Sequence, residues 1–130
     1  MAKAINLEAL KKDMERWPKS WAGTDSDVRV GKEIVEVMRP FVVSIVADQL
    51  AYTTINRHMN GLWLLGGEII YRVNMDPELR SMNGKRLMRE FVSEEGGPIS
   101  RHLSTEDEQR AFDATCKKLY RFMCQRSGRL

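Results

Sequence analysis

The side chains of this 130-residue chain that are equipped for covalent or acid–base chemistry are two histidines, two cysteines and a scatter of carboxylates, and their spacing keeps them apart. His58 and His102 are distant in sequence, and no Cys-x-x-Cys, His-x-x-x-His or paired-carboxylate motif occurs. Cys116 and Cys124 fall on one predicted helix, roughly 12 Å apart at about 1.5 Å per residue. That exceeds the roughly 7 Å Cα separation a disulfide tolerates, and it is too far to share a metal ion. Both are expected to be packed thiols of a reducing, cytoplasmic compartment. Glu94-Glu95 and Glu106-Asp107-Glu108 read as solvated helix ends. Gly66-Gly67 and Gly96-Gly97 lack the spacing and the preceding strand of a phosphate-cradling loop. The expectation is a non-enzymatic protein with neither metal nor other cofactor.

Side chains suited to nucleic acid are more concentrated. The stretch "YTTINRHMNGLWLLGGEII" places Thr53, Thr54, Asn56, Arg57 and Asn60 around a predicted helix start. Free amide donors and the positive dipole end suit a phosphate there, and Arg and Asn are the side chains that read guanine and adenine edges. Residues 51–90 carry Arg57, Arg72, Arg80, Lys85, Arg86 and Arg89 against four acids, Glu68, Asp76, Glu78 and Glu90. Residues 117–130 carry Lys117, Lys118, Arg121, Arg126 and Arg129 with no acid. Such a basic end can lie on phosphates by counterion release or satisfy its own helix dipole.

The elements that must position these residues are helical. In 5–16, Ile5, Leu7, Leu10 and Met14 form an apolar stripe, and Pro18 is expected to end that helix. After a polar loop, 28–39 turns Ile34, Val35 and Met38 inward, and Pro40 is expected to open a separate helix carrying Phe41, Val42, Ile45, Val46 and Leu50. "FVVSIV" is β-branched but has no partner strand, so it reads as helix. Thr53 or Thr54 is the expected cap of the next helix, whose seam runs Ile55, Met59, Leu62, Gly66, Ile69, Val73. Gly66 on that seam lets a neighbouring helix approach closely. Asp76-Pro77 starts a short helix that Asn83-Gly84 should close with a left-handed cap, and "KRLMREFV" adds one or two turns. Ser104 with Asp107 and Thr105 with Glu108 form a double capping signal for the last helix, with Phe112, Cys116, Leu119 and Met123 inward.

Five to seven helices and no sheet make an all-α fold, a compact orthogonal bundle. Residues 1–130 read as one domain, with an N-terminal helix and linker over 1–20 and a helical core over 25–126. An apolar fraction of 42% and a charged fraction of 30% are ordinary for a globular chain. A net charge of +3 permits a nucleic-acid partner without requiring one. No run approaches the roughly 20 apolar residues of a membrane span, and the N-terminus lacks an apolar signal core. A cytoplasmic protein with no membrane partner is expected.

At "PFVVSIVADQLAYTTINRHMNGLWLLGGEII" the pattern resembles the N-terminal core-binding domain of tyrosine recombinases of the phage-integrase type. The likeness spans residues 28–75: a helix from Pro40 to Leu50, a short link, then a threonine-led helix start. It implies a SAM-like helical bundle that forms half of a clamp around duplex DNA. It further implies that Thr53, Thr54, Asn56, Arg57 and His58 face the DNA, with Asn60, Lys85, Arg86, Arg89, Lys117, Lys118 and Arg121 available as further contacts and phosphate anchors. The family's catalytic Arg, Lys, His-x-x-Arg and nucleophilic Tyr have no counterpart in these residues, so a core-binding module without strand-cleaving chemistry is expected. Two alternatives stand beside it. A protein-interaction or homodimerisation module draws on Trp17, Trp21, Leu64 and Tyr71, which do not all fit an inner stripe. A helix-turn-helix regulator draws on "SIVADQLAYTTINRHM", although Ala47 to Ile55 is short for that motif and Ala51-Tyr52 lacks its usual glycine turn.

Overall fold

The computed structural model describes residues 5–126. Five α-helices and one 3-10 helix follow in order: α1 Leu7–Trp21, α2 Asp25–Ala47, α3 Tyr52–Met75, the 3-10 helix Pro77–Ser81, α4 Gly84–Phe91 and α5 Glu106–Arg126. Among the described residues the only β pairing is a single bridge between Ser93 and Gly96. The expected all-α class is what the chain adopts. None of these helices is long and apolar enough to cross a membrane.

Both interior prolines were expected to interrupt helices, and neither does. Pro18 lies inside α1 and Pro40 inside α2. A proline removes one N–H donor at a cost of about 3 kcal/mol in a helix interior, and here packing offsets it. The buried Pro18 ring sits where α2 crosses: a Cβ on Gly31 would stand 3.0 Å from Pro18 Cα and Cβ. Across Pro40 the apolar stripe never changes register. Ile34, Val35, Met38, Phe41, Val42 and Ile45 are all buried on one continuous face. Breaking α2 at Pro40 would rotate half of that face out of the core.

The helix starts also differ from expectation in instructive ways. Ala51, not a threonine, stands at the start of α3, with Ile55 N–H donating to its carbonyl at 3.0 Å; Thr53 and Thr54 lie in the first turn. Gln49, at φ 57°, makes the reversal between α2 and α3. Asp76 does start the 3-10 helix, accepting from Glu78 N–H at 3.1 Å. Asn83 caps the helix after it rather than closing the one before, accepting from Arg86 N–H at 2.9 Å. Gly84 is therefore the first residue of α4, not a left-handed cap. It is glycine because a Cβ would stand 2.6 Å from the Glu33 backbone. At α5, Thr105 and Glu108 form the expected reciprocal cap. Ser104 joins the same Glu108 carboxylate, and Asp107 pairs with Arg110 instead.

Side-by-side antiparallel packing organises the long helices. At one end of the α2–α3 pair, Asn74 donates to Asp27 at 3.0 Å. At the other end Phe41 meets His58 edge-on, ring centroids 6.1 Å apart. Contacts at both ends make an αα-hairpin, not the crossing pair of a helix-turn-helix and not an orthogonal pair. The helix α5 returns along α3: Arg72 reaches the Ile99 carbonyl before α5 begins, Thr115 meets His58 midway, and Phe122 packs on Phe41 near the end. The seam predicted for α3 is buried throughout. Of the inner face predicted for α5, Phe112, Cys116 and Leu119 are buried and Met123 is half-buried.

Gly66 of α3 sets the closeness of the α1–α3 contact. A Cβ on Gly66 would stand 2.2 Å from the Trp21 ring, so the indole packs directly against the α3 backbone there. Trp21 Nε1 donates to the Trp63 carbonyl at 3.0 Å, and Trp63 Nε1 donates to Ser20 Oγ at 3.1 Å. A polar knot at the opposite end fixes α2 to α3 and to the 3-10 helix. Buried Asp27 accepts from Gly23 N–H, Thr24 N–H and the Asn74 amide, with Arg80 3.6 Å away.

Candidate nucleic-acid interface

The first half of α3 positions the predicted contacts by its period. Thr53, Arg57 and Asn60, at spacings of four and three, share one exposed face. Thr54 and Asn56 are half-exposed, and Asn56 turns toward α1, where it lines a cleft with Asn60 and Trp63.

His58 does not join them. It is buried, its Nδ1 lies 2.8 Å from Thr115 Oγ1, and its ring meets the Phe41 edge. A side chain satisfied on both sides by the core is a packing residue, and it does not face a ligand. The helical period explains the departure: His58 is one step of 100° beyond Arg57 and so falls on the flank that α5 covers. Burial lowers its pKa below the ordinary histidine value, and the charges of Lys118 and Arg57 lower it further. Lys118 of α5 and Arg57 of α3 thus both act on His58 from their own helices. Both are exposed, and neither forms an ion pair among the described residues.

The remaining predicted cations do not form one surface with this pair. Lys85 lines a groove with Glu36, Val37, Pro40, Phe122, Met123 and Arg126. Through Phe122 and Phe41 that groove lies at the same end of the bundle as His58. Arg126 stands 5.7 Å over the Phe122 ring, while Glu36, the groove's acid, is taken up by Arg39 at 2.8 Å. Lys117 is half-buried and Arg86 exposed. Arg121 is paired with Glu94 at 3.3 Å. Arg89 lines a separate hollow with Arg72, Glu90 and Glu95. Arg72, fifteen residues beyond Arg57 and thus roughly 22 Å further along α3, is bound to buried Glu68 at 2.9 Å. Arg129 lies outside the described residues. Unpaired cations thus gather at the end formed by the start of α3 and the last turns of α5, with exposed Asp48 the acid at the adjoining turn. Of the acid-paired arginines, Arg72 lies far along α3, whereas Arg121 shares the last turns of α5 with its charge taken up by Glu94.

Four residues of the α1–α3 cleft were not expected from the sequence: Asp13, Arg16, Ser20 and Trp63. The signal was present, since Asn56, Asn60 and Trp63 follow at spacings of four and three, as do Asp13, Trp17 and Ser20 on α1. That period runs beside the apolar seam of α3, and Met59 belongs to both. Cys116 is buried and its thiol is pushed up to about 12 by that burial and by Asp113, so it is inert as a nucleophile. No protein-family model, curated protein or solved structure matches the chain.

Proposed function

We propose that the protein is a non-catalytic, cytoplasmic DNA-binding module of the SAM-like, core-binding type found in tyrosine recombinases, contacting duplex DNA with the first half of α3 and the adjoining part of α5. The observation that carries this reading is the presence of two unpaired cations, Arg57 and Lys118, whose charges both reach His58. Two exposed cations from different helices, each close enough to lower the His58 pKa, have no acid partner among the described residues, and Thr53 and Asn60 share the α3 face with Arg57. Exposed cations not neutralised by carboxylates are the groups that release counterions when they meet phosphates. Thr53 and Asn60 supply neutral hydrogen bonds to the backbone or to base edges. Lys85 and Arg126 lie at the same end of the bundle, around a separate groove with Phe122. Fluorescence anisotropy with a labelled duplex across a salt series tests the proposal: binding should weaken steeply with salt and fall when Arg57 and Lys118 are neutralised. Absence of binding at low ionic strength refutes it.

A second reading, a protein-interaction or homodimer module, is favoured by the apolar floor of the Val37–Pro40–Phe122–Met123 groove and by Val43, 40% exposed on α2. Light scattering discriminates. A dimer dispersed by Val43→Glu supports this reading, and a monomer at high concentration removes the homodimer.

A further inference from the structure

Between α1 and α3 lies a cleft whose walls are chemically uncommitted. Its rim carries Asp13, Arg16, Asn56 and Asn60, its floor is Trp17 and Met59, and Trp63 forms one side. Trp63 is 44% exposed, yet it is not a loose surface ring. Its Nε1 donates to Ser20 Oγ, Ser20 in turn donates to the Trp17 carbonyl at 2.8 Å, and its own carbonyl accepts from Trp21. The indole's one polar atom is therefore already satisfied inside the protein. The ring is tethered through Nε1 and still leaves nearly half of its surface open beside the cleft. None of Asp13, Arg16, Asn56 and Asn60 has a side-chain hydrogen bond or ion pair among the described residues, so two amides, a carboxylate and a guanidinium converge with their capacity unspent.

A tethered aromatic ring bordered by free amide donors and acceptors matches a flat heterocycle with a hydrogen-bonding edge. We propose that this cleft receives one unpaired base of a single-stranded nucleic acid. Trp63 stacks on the base, Asn56, Asn60 and Asp13 bind its edge, and Arg16 binds an adjacent phosphate. The proposal rests on the nucleic-acid reading of α3 and deepens it. Asn60 belongs both to the cleft and to the outer face bearing Arg57, so a strand entering the cleft passes its phosphates along Arg57 and Lys118. Paired bases in a duplex hide their faces and their Watson–Crick edges, so the cleft engages only a strand with an unstacked base. Asp13 is an acceptor only, which favours bases bearing an exocyclic amine.

The test uses the full chain and a labelled mixed-sequence strand of about 12 nucleotides, alone and annealed to its complement. The single strand should bind roughly tenfold more tightly than the duplex. Trp63→Ala should remove that advantage, the factor that one base–aromatic stack supports, while leaving duplex affinity unchanged. Asn56→Ala, at a half-exposed position, should act in the same direction, and its circular dichroism melt should match the parent's should Trp63→Ala prove unstable. Arg57→Gln with Lys118→Gln should weaken both ligands. Equal binding of strand and duplex, or single-strand affinity indifferent to both Trp63→Ala and Asn56→Ala, overturns the cleft proposal alone. Failure of both ligands to bind at low salt overturns the α3 reading and the cleft with it.

Discussion

A methyl group added at Gly66 should unfold more of this protein than one added at Gly67, next to it on the same helix. At Gly66 the new Cβ would meet three Trp21 ring atoms at 2.2, 2.2 and 2.7 Å. At Gly67 its nearest neighbour, Trp21 Cδ1, lies at 3.4 Å, an ordinary contact. Both substitutions gain about 1 kcal/mol of helix propensity from Gly→Ala. Gly66→Ala must also displace a rigid indole that is hydrogen-bonded to the Trp63 carbonyl. Overpacking of this kind costs about 1–3 kcal/mol, and loss of the indole's hydrogen bond and part of its burial adds about 1–2 kcal/mol. The net expectation is destabilisation of about 2 kcal/mol for Gly66→Ala, roughly 6 °C in Tm for a domain of this size, and stabilisation of up to about 1 kcal/mol for Gly67→Ala. Gly66→Leu should be worse still. Urea titration of the two variants measures the difference directly. In a Trp21→Ala background the Gly66→Ala penalty should vanish and only its propensity gain remain, a coupling that a double-mutant cycle reads. Equal effects at the two glycines, or a Gly66→Ala penalty that survives removal of Trp21, would show that the close approach of Trp21 is not what requires glycine.

The buried Asp27 knot yields a second expectation. Asp27→Ala leaves the Gly23 and Thr24 amides and the Asn74 side chain without their acceptor and should cost about 3 kcal/mol by denaturant titration. Burial pushes the Asp27 pKa up, but hydrogen bonds from Asn74, Gly23 and Thr24 and the charge of Arg80 outweigh it and leave the pKa lowered. Its stabilisation is therefore complete above the ordinary carboxylate value and lost as pH falls through the lowered one, a loss that Asp27→Asn should abolish in acid melts. His58 titrates in a different window. Burial, Lys118 and Arg57 all lower its pKa, so the unfolded chain binds the proton first and stability declines as pH falls below about 6.5. Nuclear magnetic resonance should show the His58 pKa rising in Lys118→Gln and Arg57→Gln, and an unmoved pKa would separate those cations from it. Among thiols, Cys116 should resist maleimide in the folded protein while the half-buried Cys124 reacts, and equal rates would contradict the packing of Cys116.

The parts of this fold that were legible in the sequence are those written as periodic burial. The α3 seam from Ile55 to Val73 and the α5 face of Phe112, Cys116 and Leu119 are buried as their spacing indicates. Local signals misled wherever tertiary packing outweighed them. Pro18 and Pro40 look like boundaries, yet the Gly31 contact and the unbroken stripe of α2 carry both helices through. Asn83-Gly84 is a capping signal of either polarity, and only the approach to Glu33 decides that it opens α4. At the candidate site, Thr53, Arg57 and Asn60 share an exposed face as period alone predicts, but His58 does not, because the position of α5 is not written in the local sequence of α3. That Arg57 and Lys118, sixty-one residues apart in sequence, both act on His58 depends on that same docking. Whether a cation keeps its charge unpaired is likewise a tertiary fact: Arg72 and Arg121 were equal candidates until Glu68 and Glu94 were placed beside them.

The central claim, that the start of α3 and Lys118 of α5 bind DNA phosphates, is tested most directly by the salt dependence of duplex binding in three variants. Anisotropy titrations should give a negative slope of log affinity against log salt for the parent protein. Arg57→Gln and Lys118→Gln should each weaken binding and reduce that slope by about 1. Arg110→Gln, an exposed arginine engaged with Asp107, should leave both unchanged. A slope indifferent to Arg57 and Lys118, or the same loss from Arg110→Gln, would contradict it.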